Sequence, residues 1–123
     1  MTTEPAATIR RPNGETPLCP IFHQAVELIG RRWNGAILYV LMRGPRRYHE
    51  VLAAIPNLSD RVLTMRLKEL EAHGLIRRTV ESGPPIKVIY QLTPAGQDLN
   101  QVIDAIGDWG HRWREQTRST IGR

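Results

Sequence analysis

Ser59-Asp60-Arg61-Val62-Leu63-Thr64-Met65-Arg66-Leu67-Lys68-Glu69-Leu70-Glu71-Ala72-His73 is the stretch whose reading decides the fold. Wound at about 100° per residue, Leu63, Leu67 and Leu70 fall in one narrow stripe. Arg61, Thr64, Met65 and Lys68 fall on the opposite face. One side is apolar and requires burial. The other offers two cations, a hydroxyl and a flexible thioether at spacings i, i+3, i+4 and i+7. Ser59 suits the N-cap, where its hydroxyl can accept from a backbone N–H, and Gly74 suits the residue just past the end. A helix of this kind can be held in a small domain and presented to an anionic surface. Taken alone it reads more readily as an ordinary amphipathic helix with a solvated charged face, and its neighbours must decide.

Immediately upstream, Tyr48, Val51, Leu52 and Ile55 predict a short helix over 48–55, and Pro56-Asn57-Leu58 a turn. Downstream, 75–81 shifts to β character with Ile76, Thr79 and Val80. Ser82-Gly83-Pro84-Pro85 predicts a loop, and Ile86 to Leu92 a second strand. Further out, Cys19-Pro20 opens a helix with proline at its first position, carrying Ile21, Phe22, Ala25, Val26, Leu28 and Ile29 and stopped by Gly30. Trp33, Ala36, Ile37, Val40 and Leu41 predict a second, mostly buried helix that ends at Gly44-Pro45, with Arg46-Arg47 in the connection. Thr93-Pro94 starts the last helix, which carries Leu99, Val102, Ile103, Ile106, Trp109 and Trp113. Residues 1–18 read as a flexible arm rich in proline and poor in large apolar residues, and residues 119–123 as a frayed tail. The predicted domain is thus 19–118.

Composition narrows the partners. The 123 residues suit one domain, and 41% hydrophobic residues allow a small core. Lys and Arg number 17 against 12 Asp and Glu, a net charge of +5, with an isoelectric point near 10.1. That excess suits a polyanion such as nucleic acid, or an acidic membrane surface. No apolar run reaches the roughly 18 residues of a membrane span, and no charged start precedes a long apolar core, so no secretory leader is expected. A single cysteine cannot make an internal disulfide. The expected compartment is the cytoplasm.

Helices followed by two strands and a loop form the winged helix-turn-helix plan: α+β, mainly α, with a two-stranded wing. A major groove about 12 Å wide admits one helix, while the helix before it braces it. The chain resembles the HxlR family of bacterial transcription regulators. The resemblance is carried by Cys19-Pro20, Leu28-Ile29-Gly30, Trp33, Gly44-Pro45-Arg46-Arg47-Tyr48, Leu63 to Glu71, Gly74-Leu75-Ile76, Pro84-Pro85, Val88-Ile89-Tyr90, Leu92-Thr93-Pro94-Ala95-Gly96 and Trp109-Gly110. It spans about Cys19 to Trp113. Lysine is common in the family where Arg32 stands, and threonine or serine where Asn34 stands. The resemblance implies a homodimer joined through N- and C-terminal helices. The residues agree: Leu99, Val102, Ile106, Trp109 and Trp113 make a stripe close to a heptad seam, within a dimerisation helix over 94–116. A helix folded back on its own core is the other reading.

Roles follow. Arg61, Thr64, Met65 and Lys68 are candidates for base-edge reading. Ser59 and Asn57 stand at the helix N-terminus, which favours phosphate. Arg46, Arg47 and Lys87 lead the candidate phosphate contacts, with Arg77 and Arg78 behind them. Cys19, at a helix entry that favours thiolate, is a redox-sensing candidate, and the resemblance implies the same, since some family members sense oxidants or electrophiles at the matching cysteine. A small residue packed at a dimer interface is the plainer reading. The four histidines are scattered, and Cys19 with His23 supplies only two ligands. No cofactor, metal or catalytic residue is expected. His49-Glu50 lacks a second acid or a nucleophile. The expected partners are double-stranded DNA and a second copy, with an oxidant or small-molecule effector compatible. The expected function is a sequence-specific regulator, a repressor by preference. The alternatives are a winged-helix protein-interaction module and a non-specific architectural DNA binder.

Overall fold

A computed structural model describes residues 17–121, with side chains through residue 118. The expected arm, apart from Pro17 and Leu18, lies outside the described residues, as do 122 and 123. Helix α1 (Pro20–Gly30) starts as the sequence indicates: Pro20 takes the first position, and the Phe22 N–H donates to Cys19 Sγ at 3.4 Å. Helix α2 (Asn34–Leu41) buries Asn34, Ile37, Leu38 and Leu41. Its start differs from the expected one. Trp33 stands just before it with φ 80°, a left-handed conformation unusual for so bulky a residue. The wheel treats Trp33 as the first apolar position of a helix, but the chain uses it to turn a corner. Asn34, fully buried, braces that corner by donating from Nδ2 to Leu28 O at 2.9 Å.

Strand β1 (Arg46–Arg47) follows, then α3 (Tyr48–Ala54), α4 (Asp60–Ala72), β2 (Ile76–Glu81), β3 (Lys87–Leu92), α5 (Pro94–Gln97) and α6 (Leu99–Ile121). The hairpin β2–β3 is antiparallel, running from Ile76 opposite Leu92 to Glu81 opposite Lys87. To the two expected strands the fold adds a third. Arg46 and Arg47 pair with Tyr90 and Ile89, giving sheet order β1-β3-β2. Two residues carry no readable period, so this strand is visible only once β3 offers its edge. The last helix comes in two pieces jointed at Asp98, and its backbone runs to Ile121, past the residue at which sequence reading begins the tail.

The core gathers Ile37, Leu38 and Leu41 from α2, Val51 from α3, and Leu63, Leu67 and Leu70 from α4. Ile76, Tyr90, Leu92 and Ile103 close it from the sheet and α6. Each such aliphatic side chain contributes roughly 1.5–3 kcal/mol on burial. By contrast α1 has no fully buried residue, and only Leu28 and Ile29 pack partly against the core. No helix among the described residues is long and apolar enough to cross a membrane.

Docking of the C-terminal helices onto the sheet turns on one glycine. Thr93 N–H donates to Leu75 O at 3.0 Å, its hydroxyl donates to Gly74 O at 2.6 Å, and that hydroxyl accepts from the Gly96 N–H at 3.1 Å. These bonds draw Gly96 so close to the Leu75 carbonyl that a Cβ there would collide with backbone. Gly96→Ala is expected to cost about 1–3 kcal/mol. Gly107→Ala on α6, where a Cβ meets nothing, is expected to be neutral or to stabilise by up to about 1 kcal/mol. Thermal unfolding of the two variants beside the parent checks the contrast.

Candidate nucleic-acid interface

Helices α3 and α4 are joined by Pro56-Asn57-Leu58. Asn57 takes φ 70°, a left-handed turn conformation that asparagine tolerates well. Leu58 is buried beneath it. Ser59 Oγ accepts from the Val62 N–H at 3.2 Å and so caps α4. Burial of Leu63, Leu67 and Leu70 then fixes the helix about its axis, leaving Arg61, Thr64, Met65 and Lys68 exposed on the other side. Met65 is 47% exposed, so it lies outside the core. Arg61 and Lys68 make no ion pair with any described residue.

The half-buried rim of α4 is tied down differently. Arg66 Nε donates to Arg32 O at 3.1 Å. Glu69 lies 3.2 Å from Arg31 and 3.5 Å from Arg66, and accepts from Asn34 Nδ2 at 3.5 Å. These bonds fasten α4 to the α1–α2 corner, and they set the rim arginine apart from the two cations on the open face.

Tyr48, which the periodicity places on the apolar face of α3, has a second role in the structure. Its ring packs against the core, while its hydroxyl crosses to α4. There it lies 2.9 Å from Asp60 O, 3.0 Å from Asp60 Oδ1 and 3.1 Å from Thr64 Oγ1. Burial raises its pKa above the ordinary 10.0; the Thr64 hydrogen bond opposes that rise and Asp60 adds to it. A wheel shows which face a residue occupies but not that a phenol spans two helices, so nothing in the sequence pattern singles this contact out.

The basic residues of the sheet spread over several positions. Arg46 and Arg47 sit half-buried on β1, and Arg46 donates to Pro45 O at 2.9 Å. Alternation along β2 sends Arg77 and Arg78 to opposite faces. Arg78 shares the face of Ile76 and joins Thr64, Lys68, Tyr48 and Tyr90 around a cavity of about 360 Å³ between α4 and the sheet. Lys87 stands opposite Glu81 at the loop end of the hairpin. Thr64 and Lys68, exposed on the open face, thus also border the cleft that Arg78 lines, whereas Arg61 and Met65 do not, and Lys87 lies out on the wing.

Elsewhere, Glu50 and His23 find structural partners. Glu50 Oε1 accepts from the Arg47 N–H at 2.8 Å, and that bond chiefly holds its carboxyl below the ordinary 4.5. It caps α3 and makes no pair with His49. His23 lies 3.4 Å from Glu27 one turn away. No group of three His, Cys, Asp or Glu suited to a metal occurs among the described residues. At the ends of the chain, Leu18, Ile21, Phe22 and Val26 are exposed along and before α1, and Val102, Ile106, Trp109 and Trp113 along α6. Trp109 and Trp113 stack on each other, centroids 5.5 Å apart. Leu99, at the start of the same stripe, packs against the core of its own chain.

Comparison with known proteins follows the same geometry. The family model described as HxlR-like helix-turn-helix matches residues 28–118. The chain is 42% identical over 98 residues to the HTH-type transcriptional regulator YodB of Bacillus subtilis, covering 80% of this chain and 88% of that protein. It is 39% identical over 99 residues to the uncharacterized HTH-type transcriptional regulator YvaP of the same organism, covering 80% and 92%. The reduced form of YodB superposes with a TM-score of 0.70 at 43% identity, covering 76% of this chain and 91% of that one. The redox regulator HypR in its reduced form does so with a TM-score of 0.75 at 32% identity, covering 80% and 98%.

Proposed function

The chain belongs to the HxlR-like helix-turn-helix family of transcriptional regulators, and from that membership we propose that it represses transcription by binding a pseudo-palindromic operator as a homodimer. The observation that carries the reading is the outward face of α4. Burial of three leucines leaves Arg61, Thr64, Met65 and Lys68 standing out, the mix of bidentate donor, hydroxyl and apolar group that reads base edges in a major groove. Ser59 at the N-cap, Arg46 and Arg47 on β1 and Lys87 on the wing supply phosphate contacts, which set register and affinity. Its work is binding, with no catalytic step. A protein-interaction helix would expose apolar residues where Arg61 and Lys68 stand, which disfavours that alternative.

Selection of duplexes from a random pool tests this. The parent protein is expected to enrich a palindrome with half-sites about 10 bp apart or a multiple of that. Arg61→Ala is expected to relax one position per half-site, at a cost of about 1–3 kcal/mol. Enrichment of nothing, with binding that fades steeply as salt rises, would instead mark a non-specific architectural binder.

The second copy docks through the terminal helices. Phe22 and Val26 of α1, with Val102, Ile106, Trp109 and Trp113 of α6, are large apolar residues left exposed, and a concentration of such residues marks an interaction surface. A partner's matching helices would cover it. In sedimentation at micromolar concentration the parent is expected to run as a dimer, and Trp109→Ser/Trp113→Ser as a monomer with weakened operator binding. A monomeric parent would end this part of the proposal.

Cys19 gives the dimer a route for regulation. Its sulfur accepts the Phe22 N–H at the start of an 11-residue helix. YodB has been crystallised diamide-treated and quinone-bound. By analogy, two Cys19 thiols from the two subunits lose two electrons and two protons to diamide. The disulfide forms as the diazene is reduced to a hydrazine. With a quinone, the thiolate adds to a ring carbon and the ring takes up a proton. Either change is expected to weaken operator binding several-fold in the parent and not in Cys19→Ser. Equal affinity before and after treatment in the parent would remove the sensing role.

A further inference from the structure

Thr64 faces the groove in the reading proposed above, and the following inference rests on that reading. A threonine inside a helix ordinarily divides between two χ1 rotamers, because its hydroxyl can bond back to the carbonyl three or four residues earlier. For Thr64 the carbonyl four residues back belongs to Asp60. That oxygen lies 2.9 Å from the Tyr48 hydroxyl, which also reaches Asp60 Oδ1 at 3.0 Å and Thr64 Oγ1 at 3.1 Å. The protons order this cluster. Asp60 presents two acceptors, a phenol has one proton, and Thr64 has one. Each proton is used once if Thr64 donates to Tyr48 and Tyr48 donates to Asp60. The Tyr48 pKa lies above its ordinary value, so the phenol keeps its proton at neutral pH.

We propose that Tyr48 is a positioning residue for sequence recognition: by holding the Thr64 hydroxyl against α3, it fixes one rotamer of Thr64 and makes the γ-methyl the group that meets DNA. The consequence is chemical. A threonine hydroxyl turned to the groove bonds to several base edges with little discrimination, whereas a methyl held in one place meets the 5-methyl of thymine. Thr64 thus favours thymine at its position in each half-site. The Asp60 carboxylate, held by the same phenol at the N-terminal end of α4, is restrained near the helix's positive end. Tyr48 itself need not touch DNA, since its ring packs on the core and only its oxygen reaches the reading helix.

Tyr48→Phe removes the oxygen and keeps the ring, so the core stays filled. The operator selected by the parent is rebuilt with uracil replacing each thymine in turn, which deletes only the 5-methyl. The parent is expected to lose affinity at one such position per half-site, while Tyr48→Phe binds the unmodified site about threefold to tenfold more weakly and no longer distinguishes thymine from uracil there. Affinity for unrelated duplex and the slope of binding against salt should be the same in both proteins. In the absence of DNA, three-bond couplings to the Thr64 methyl should report one rotamer in the parent and averaging in Tyr48→Phe. The inference is overturned if Tyr48→Phe keeps the parent's thymine preference, or if it loses specific and non-specific binding equally together with its melting temperature. If the parent itself enriches no sequence, the operator reading fails and this inference falls with it. A parent with an operator but an unaltered variant would overturn this inference alone.

Discussion

Burial of Leu63, Leu67 and Leu70 is the constraint on which the rest of the molecule depends. A helix has one rotational freedom about its own axis, and three leucines anchored in a shared core remove it. What faces outward is then decided: Arg61, Thr64, Met65 and Lys68 have no other side to occupy. The neighbouring elements adapt to this helix. Leu58 seals the turn before it, Ile76 continues its apolar stripe into the sheet, and Glu69 and Arg66 tie its rim to the α1–α2 corner. The left-handed Trp33 belongs to that corner. A conformation costing of order 1–3 kcal/mol persists there beside the buried Asn34 amide, which grips the carbonyl of Leu28.

A domain organised around one such helix has a small centre, and the terminal helices overrun it. Helix α6 has 23 residues, about 34 Å at 1.5 Å per residue, and of its early apolar positions Leu99 and Ile103 reach the core. Beyond them the stripe continues through Ile106, Trp109 and Trp113 with no core beneath it. The first two turns of helix α1, capped by Cys19, lie in the same condition, and only Leu28 and Ile29 near its end pack partly against the core. The apolar pattern of these helices is as regular as that of α4, so periodicity alone cannot tell a face that is buried in the core from one that stays exposed.

Legibility in the sequence followed the range of the interactions. The caps at Ser59 and Thr93, the proline at the start of α1 and the left-handed Gly74 after α4 were all readable, because each is settled within a few residues. The hairpin was readable from β-branched residues on either side of a Gly-Pro-Pro loop. The strand at Arg46–Arg47 was not, since its hydrogen bonds come from Tyr90 and Ile89, more than forty positions away. Trp33 departs from its pattern for a related reason: its apolar character fits a helix, and only the meeting of α1, α2 and α4 requires a corner there. Tyr48 fits its helix face, and the reach of its hydroxyl to α4 has no signature in the linear pattern.

The sequence by itself therefore determined the order of the main helices and of the two hairpin strands, the two faces of α4 and the basic character of the surface that α4 presents. These depend on side-chain period, on capping and on net charge, all of which act locally or sum over the chain. Only the tertiary structure decided that Thr64, Lys68 and Arg78 would line one cleft, that Gly96 must lack a side chain beside Leu75, and that one phenol would join the first turn of α4 to α3. Each of those depends on atoms brought together from distant parts of the chain, and the distance between them is fixed by packing, which no linear pattern encodes.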